Sequence, residues 1–215
     1  MPGADAPPLG STWDGPADAP LVVLLAHGAG APMDTPFLTR MARGLASAGH
    51  RVGRFEFPYM RRRRVDGRRR PPDPPRVLEA AWREAVAAAG SPPRLVIGGK
   101  SMGGRIASQV ASELGVAGLL CLGYPFHPPG RPERLRTAHL HDLSVPTLIV
   151  QGERDPFGTP EEVAAYGLPP SIELAWIADG DHSFAPRKAS GRTSAQNLDA
   201  ALAAITAWLD RLERS

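Results

Sequence analysis

"RLVIGGKSMGGRIAS", residues 94–108, changes character halfway along. "RLVIGG" is an apolar run that suits a strand buried on both faces, and Ile106, Val110 and Leu114 then recur at a spacing of four, as on one face of a helix. Between the two stands Ser101, with Gly99 and Gly103 two residues to either side. A nucleophilic serine has to project from the backbone, and a sharp strand-to-helix turn makes it do so. The turn crowds the chain so closely that only small residues fit two positions away. The helix that begins after Ser101 aims its free N–H groups and the positive end of its dipole at the same spot. A competing reading makes Ser101 a small residue in a glycine-rich turn that holds a phosphate. "GKS" contains the Lys-Ser pair of a phosphate-binding loop, but that motif needs glycine at position 94, where Arg94 stands.

Outward from this turn the chain alternates. Upstream, "LVVLLAHG" (21–28) and "RVGRFEFPY" (51–59) read as strands, the second stopped by Pro58. Between them Thr35 and Pro36 open a helix whose Phe37, Leu38, Met41 and Leu45 share a face and which Gly49 closes. Residues 75–89 predict another helix. Downstream, 117–125, 146–155 and 172–182 read as strands, "TPEEVAAYG" as a short helix, and Leu198, Leu202, Ile205, Leu209 and Leu212 mark a final amphipathic helix. This rhythm predicts a single-domain α/β fold with a mostly parallel sheet of six to seven strands, helices on both faces and no large cap domain. The domain is expected over 21–215. Residues 1–20 are expected to form a proline-rich arm, with one edge strand near Trp13 at most.

Composition narrows the class. The 215 residues are 42% hydrophobic and 22% charged, which is ordinary for a globular protein, and 25 basic against 22 acidic residues leave a formal charge of only +3. The single cysteine, Cys121, excludes an internal disulfide, and its place in the middle of a strand reads as core packing. No signal peptide and no apolar run of membrane-spanning length is visible, so the cytoplasm is the expected location. No His/Cys/Asp cluster has zinc spacing and no glycine-rich turn fits a dinucleotide, so no metal or cofactor is expected.

Parallel sheets place their sites at the carboxyl ends of the strands. There the sequence offers Ser101, Asp155 in "QGERDPFG" and His182 in "ADGDHSF", in the chain order Ser, Asp, His. His182 would take the Ser101 proton and pass it to the leaving group. Asp155 would accept the imidazole N–H and fix its tautomer. Asp181 is a rival for the acid, but it adjoins His182, and neighbouring side chains rarely meet with the needed geometry; Asp179 is a weaker rival. The Met102 amide would stabilise the developing oxyanion, with the second donor from "HGAGAPMD" (27–34), Ala29 first and Gly30 next. His27 reads as a structural residue of that loop.

With these residues in place a resemblance emerges. "LLAHGAGAPMDTPF", "FEFPYM" followed by "RRPPDPP", "GGKSMGGR", "YPFHPPGRPERLRTAHL", "QGERDPFG" and "GDHSF" resemble the α/β-hydrolase superfamily over nearly the whole chain. They look closest to the small lid-less hydrolases akin to dienelactone hydrolase, in the group that includes testis-expressed protein thirty and the hydrolase-like domain of an NSL histone acetyltransferase subunit. The resemblance implies the Ser101, Asp155 and His182 triad but no particular substrate, and some relatives act as interaction modules. One departure is that dienelactone hydrolases proper carry cysteine at the turn, where this chain has Ser101.

The segment 124–143 stands where a cap would be. Tyr124, Phe126 and His127 either line the acyl site or simply stiffen a crossover, and Tyr59 joins them as a candidate substrate contact. His50, His139 and His141 read as surface residues. The arginine run at 61–64 and 68–70 reads as a solvated basic loop, or as one that draws in anionic substrates or acidic partners. It lacks the interleaved aromatics of a nucleic-acid site, so nucleic acid is not an expected partner, nor is a membrane. The expectation is therefore a serine hydrolase cleaving a small ester, thioester or similar acyl substrate. The alternative is a non-catalytic module of the same fold that binds acidic partners through the basic segment. The sequence leaves the oligomeric state open.

Overall fold

The computed structural model describes residues 11–90 and 94–214. In chain order the strands are β1 (Thr12–Asp14), β2 (Leu21–Ala26), β3 (Arg51–Phe55), β4 (Arg94–Lys100), β5 (Gly118–Leu122), β6 (Thr147–Gly152) and β7 (Ile172–Ile177). The helices are α1 (Pro36–Ser47), α2 (Pro58–Asp66), α3 (Pro75–Ala88), α4 (Met102–Val110), α5 (Pro160–Ala164) and α6 (Ser194–Arg214). The seven strands form one sheet in the order β1-β3-β2-β4-β5-β6-β7, and every pairing is parallel except β1 with β3. Central strands β2, β5 and β6 are buried along their full length, as suits their mainly apolar runs.

Alternate residues of the same strands feed two cores. Leu21, Val23 and Leu25 of β2 face α1 and α6, where Met41, Leu45, Ile205 and Trp208 complete one layer. Val22, Leu24 and Ala26 face the other way, toward Trp82 of α3 and Ile106 of α4. Two helical layers thus sandwich the sheet and leave the carboxyl ends of its parallel strands together on one edge.

Local chemistry explains most boundaries. The Thr35 side chain accepts from the Leu38 amide and Pro36 occupies the first turn of α1. Thr159 and Glu162 form a reciprocal capping box on α5. Of the predicted arm, residues 1–10 lie outside the described residues. Residues 12–14 join the sheet as the antiparallel edge strand, with Trp13 stacked against Gly53 and under the Arg51 guanidinium.

Two expectations need correction. The arginine run is not a loop over its first half, because Pro58 starts α2 and Gly67, at φ 70°, ends it with a left-handed cap. Both signals stand in the sequence, but only Tyr59 and Met60 of this helix are buried, so no apolar periodicity advertised it. His50 is also not a surface residue. It is buried where the chain enters β3, its carbonyl packed against Gly15, and His139 is half-buried beside Ser108.

Trp208 fills the layer between the sheet and α6 at 2% exposure. Trp208→Ala is expected to cost about 3–5 kcal/mol through lost burial and a residual cavity. Urea unfolding checks this as a lowered midpoint at unchanged slope.

Candidate active site

β4 ends at Lys100 and α4 begins at Met102, so a single residue, Ser101, makes the whole turn. Its backbone takes φ 51° and ψ −113°, a conformation that costs a non-glycine residue about 1–3 kcal/mol. The turn is held by a bond from the Ser101 amide to the Leu122 carbonyl at 3.0 Å and one from the Arg105 amide to the Ser101 carbonyl at 3.0 Å. Close packing explains the flanking glycines. A Cβ on Gly99 would lie 2.1 Å from the Ala26 carbonyl oxygen, and one on Gly103 2.5 Å from the same atom. As the first residue of α4, Met102 has an amide with no intrahelical acceptor.

His182 follows β7 and meets Asp155, which follows β6: its Nδ1 lies 2.7 Å from Asp155 Oδ2. Asp155 is fully buried, and its carboxylate is satisfied from three directions. Besides His182, the Gln151 side-chain amide donates to Oδ2 at 2.9 Å and the Phe157 amide to Oδ1 at 3.0 Å. A carboxylate that only accepts calls for a proton on Nδ1 of His182, and in the tautomer with that single proton Nε2 is the acceptor. The Phe157 ring packs against the imidazole with centroids 4.4 Å apart. The rival carboxylates are engaged elsewhere. Asp181 accepts from the amides of Ser183 and Ala185, and Asp179 pairs with Arg154 and Arg187.

Ser101 and His182 line one cavity of about 510 Å³ whose other walls include Gly28, Ala29, Gly30, Phe37, Leu38 and Lys100. Ser101, the two candidate donors of the 27–34 loop and His182 are thus brought together, with Asp155 behind the imidazole. The substrate contacts expected at Tyr59, Tyr124, Phe126 and His127 are not. All four are buried, and the cavity wall contains none of them. Tyr124 and Phe126 pack on each other and on toward Tyr166, the Tyr124 hydroxyl donates to the Arg136 carbonyl, and His127 bonds the Pro128 carbonyl at 2.9 Å. Their rings are consumed by the core of their own crossover, which is the structural alternative that the prolines suggested.

His27 is a loop-bracing residue. Its Nδ1 reaches the Gly28 carbonyl at 2.7 Å and its Nε2 accepts from the Phe57 amide at 3.1 Å. Burial lowers its pKa and so keeps the ring neutral for these two roles.

Three neighbours of the site escaped the sequence reading. Gln151 bridges Asp155 to the Tyr124 main chain, Phe157 covers the imidazole, and Lys100 reaches from the turn to donate to the His182 carbonyl at 2.7 Å. Desolvation lowers the Lys100 ammonium to about 8 against the opposing pull of Asp155 and Asp181. Lys100 stands next to Ser101 in the sequence, so adjacency alone could have marked it. Gln151 and Phe157 carry no such signal.

The fold has known counterparts. The model of a family described as alpha/beta hydrolase domain matches residues 19–210. Among solved structures, the chain is similar to a lid-less α/β serine hydrolase from Xanthomonas campestris, with 22% identity over 94% of this chain and 88% of that one and a TM-score of 0.69. It is also similar to dienelactone hydrolase from Anabaena variabilis (23% identity, 94% and 90% covered, TM-score 0.72) and to Est1E from Butyrivibrio proteoclasticus (13%, 95% and 94%, 0.69). No described helix is long and apolar enough to cross a membrane. With the family match running through all of the parallel strands and the turn at Ser101, the chain belongs to the alpha/beta hydrolase domain family.

Proposed function

We propose that the protein is a serine hydrolase that cleaves an ester, thioester or similar carbonyl compound by acyl transfer. The observation that carries this reading is the 2.7 Å contact of the buried Asp155 with His182, whose imidazole shares a cavity wall with Ser101. In this mechanism Nε2 of His182 removes the Ser101 proton as Oγ attacks the carbonyl carbon. Asp155 holds the imidazole in the reactive tautomer and offsets the charge of the imidazolium. The amides of Met102 and of Ala29 or Gly30 receive the oxyanion, at a helix N-terminus and in a loop that supplies fixed dipoles. His182 returns the proton to the leaving group, and water resolves the acyl-enzyme by the same route.

The mainly apolar wall, which includes Phe37 and Leu38, suits an apolar acyl or alcohol part, and the cavity has room for a small one. The structural neighbours named as a serine hydrolase and as a dienelactone hydrolase support this class of chemistry without selecting a substrate. Lys100 serves the mechanism indirectly: its bond to the His182 carbonyl fixes the main chain that carries the imidazole.

A fluorophosphonate probe is expected to label the protein at neutral pH and to fail on Ser101→Ala. A panel of p-nitrophenyl esters and acyl thioesters of graded chain length then defines the acyl group. Absence of both labelling and turnover would overturn the reading. Asp155→Asn is expected to lower kcat by about 10³–10⁴-fold by favouring the wrong imidazole tautomer, as steady-state kinetics will read.

Lys100 also gives a signed prediction for stability. Its native pKa of about 8 lies below the unfolded value of 10.5, so the unfolded chain binds more protons between those two values. The cost of burying the ammonium is fully present below about pH 8 and is relieved as pH rises toward 10.5. The stability of the wild type relative to Lys100→Met should therefore shift in favour of the wild type by roughly 1–3 kcal/mol between pH 7 and pH 10, measured by urea unfolding of both proteins.

A further inference from the structure

Two side chains of the arginine-rich segment, Arg63 and Arg64, reach the loop that lines the cavity together with His182. Of the seven arginines in 61–70, Arg62 pairs with Asp73, Arg64 with Glu56 and Asp34, and Arg70 with Asp66. Arg63 donates through Nη1 to the Gly30 carbonyl at 3.2 Å. Earlier on the same helix, the Tyr59 hydroxyl donates to the Ala29 carbonyl at 2.9 Å. Tyr59 is almost fully buried, and burial pushes its phenol pKa up, so the group remains a donor.

These contacts acquire meaning from the planarity of the peptide group. The described chain has no cis peptide bond, so each carbonyl points opposite to the amide N–H of the following residue. Holding the Gly28 carbonyl sets the Ala29 amide, and His27 does this at 2.7 Å. Holding the Ala29 carbonyl sets the Gly30 amide, and Tyr59 does this. Holding the Gly30 carbonyl sets the Ala31 amide, and Arg63 does this. Three consecutive peptide groups of a glycine-rich loop, in residues that line the cavity with Ser101, thus have their carbonyls tied by side chains that are not part of the cavity wall.

The far end of the same loop is fastened as well. Glu56, at 2% exposure, accepts from the Met33 amide at 3.2 Å and from Arg64 Nε at 2.7 Å. Arg64 spans to Asp34 at 2.9 Å, and Arg54 donates to the Met33 carbonyl at 3.2 Å. Helix α2 is itself anchored: Asp73 accepts from the Tyr59 amide at 2.8 Å and pairs with Arg62 at 2.5 Å.

We propose that α2 is a clamp for the oxyanion loop, in which Tyr59 and Arg63 are positioning residues: Tyr59 sets the direction of the Gly30 amide beside Ser101, and Arg63 restrains the same residue from its other side by holding the Gly30 carbonyl. The inference rests on the acyl-transfer reading and assigns the basic segment to catalysis rather than to an external polyanion. A glycine-rich loop left untied would sample many peptide orientations, and a donor that has to be reoriented during reaction stabilises the oxyanion less.

Tyr59→Phe keeps the buried ring and removes one oxygen. Arg63→Met keeps the apolar stem and Arg63→Lys restores a donor. Arg61→Met, on the same helix and in contact with neither loop carbonyl, is the control. With the best p-nitrophenyl ester of the panel, Tyr59→Phe and Arg63→Met are expected to lower kcat by about 10–100-fold with KM changed less than about threefold, since misplacement acts on the transition state. Arg63→Lys should recover part of the loss and Arg61→Met should match the wild type. Amide hydrogen exchange in residues 28–31 should quicken in Tyr59→Phe, with melting temperature nearly unchanged. Wild-type kcat and unaltered exchange in Tyr59→Phe and Arg63→Met would overturn the clamp and leave the hydrolase reading intact. A wild-type protein that neither hydrolyses the panel nor reacts with a fluorophosphonate at Ser101 would overturn both.

Discussion

The turn between β4 and α4 lies against the carboxyl end of β2 with no space for a side chain at Gly99 or Gly103, where a Cβ would fall 2.1 and 2.5 Å from one carbonyl oxygen of Ala26. This close approach holds Ser101 at a positive φ and brings it beside the loop that continues from β2. The strain is local, and the surrounding sheet over-determines it: β2 and β4 are paired over six residues up to Ala26 and Gly99. A looser turn would let Ser101 relax and would separate it from Ala29 and Gly30. Sheet packing, the backbone geometry of the serine and the placement of the candidate oxyanion donors are therefore one constraint.

The buried carboxylate of Asp155 adds a second. Removing a charge from water is costly unless hydrogen bonds replace the lost hydration, and Gln151, the Phe157 amide and His182 supply them. Gln151 does more than donate. Its oxygen accepts from the Tyr124 amide at 2.7 Å, so the ends of β5 and β6 are fastened through the same side chain that faces Asp155. The polar network that would orient His182 is thus continuous with the network that closes the top of the sheet.

Charge elsewhere is organised in the same inward fashion. Glu56 is nearly inaccessible and Arg54 is only 6% exposed, yet both find partners in the loop after β2 or in its neighbours. A sequence rich in arginine near one strand end invites the idea of an external anion. Here ion pairs with Asp34, Glu56, Asp66 and Asp73 neutralise much of that charge, and the remaining reach of the helix is directed at carbonyl oxygens beside the cavity.

The alternation of buried strands and amphipathic helices, the seven-stranded size limit and the strand-turn-helix around Ser101 were all legible in the sequence. Each is written in local periodicity or in glycine and proline placement, which need no knowledge of distant residues. The polar candidates at the strand ends were legible for the same reason. Helix α2 was not, because its stabilising partners, Asp34, Glu56 and Asp73, lie outside it in sequence and its own apolar face is two residues wide. The fates of Tyr124, Phe126 and His127 were not legible either, because an aromatic residue after a strand end has the same local pattern whether its ring turns toward a cavity or into the crossover core. The adjacency of Asp181 to His182 already favoured Asp155 in the sequence, but tertiary structure alone decided that Gln151 and the Phe157 amide surround that carboxylate and that Lys100 reaches the His182 carbonyl. Those outcomes depend on where separate strand ends converge, and long-range packing sets that convergence, whereas sequence periodicity reports only on neighbours along the chain.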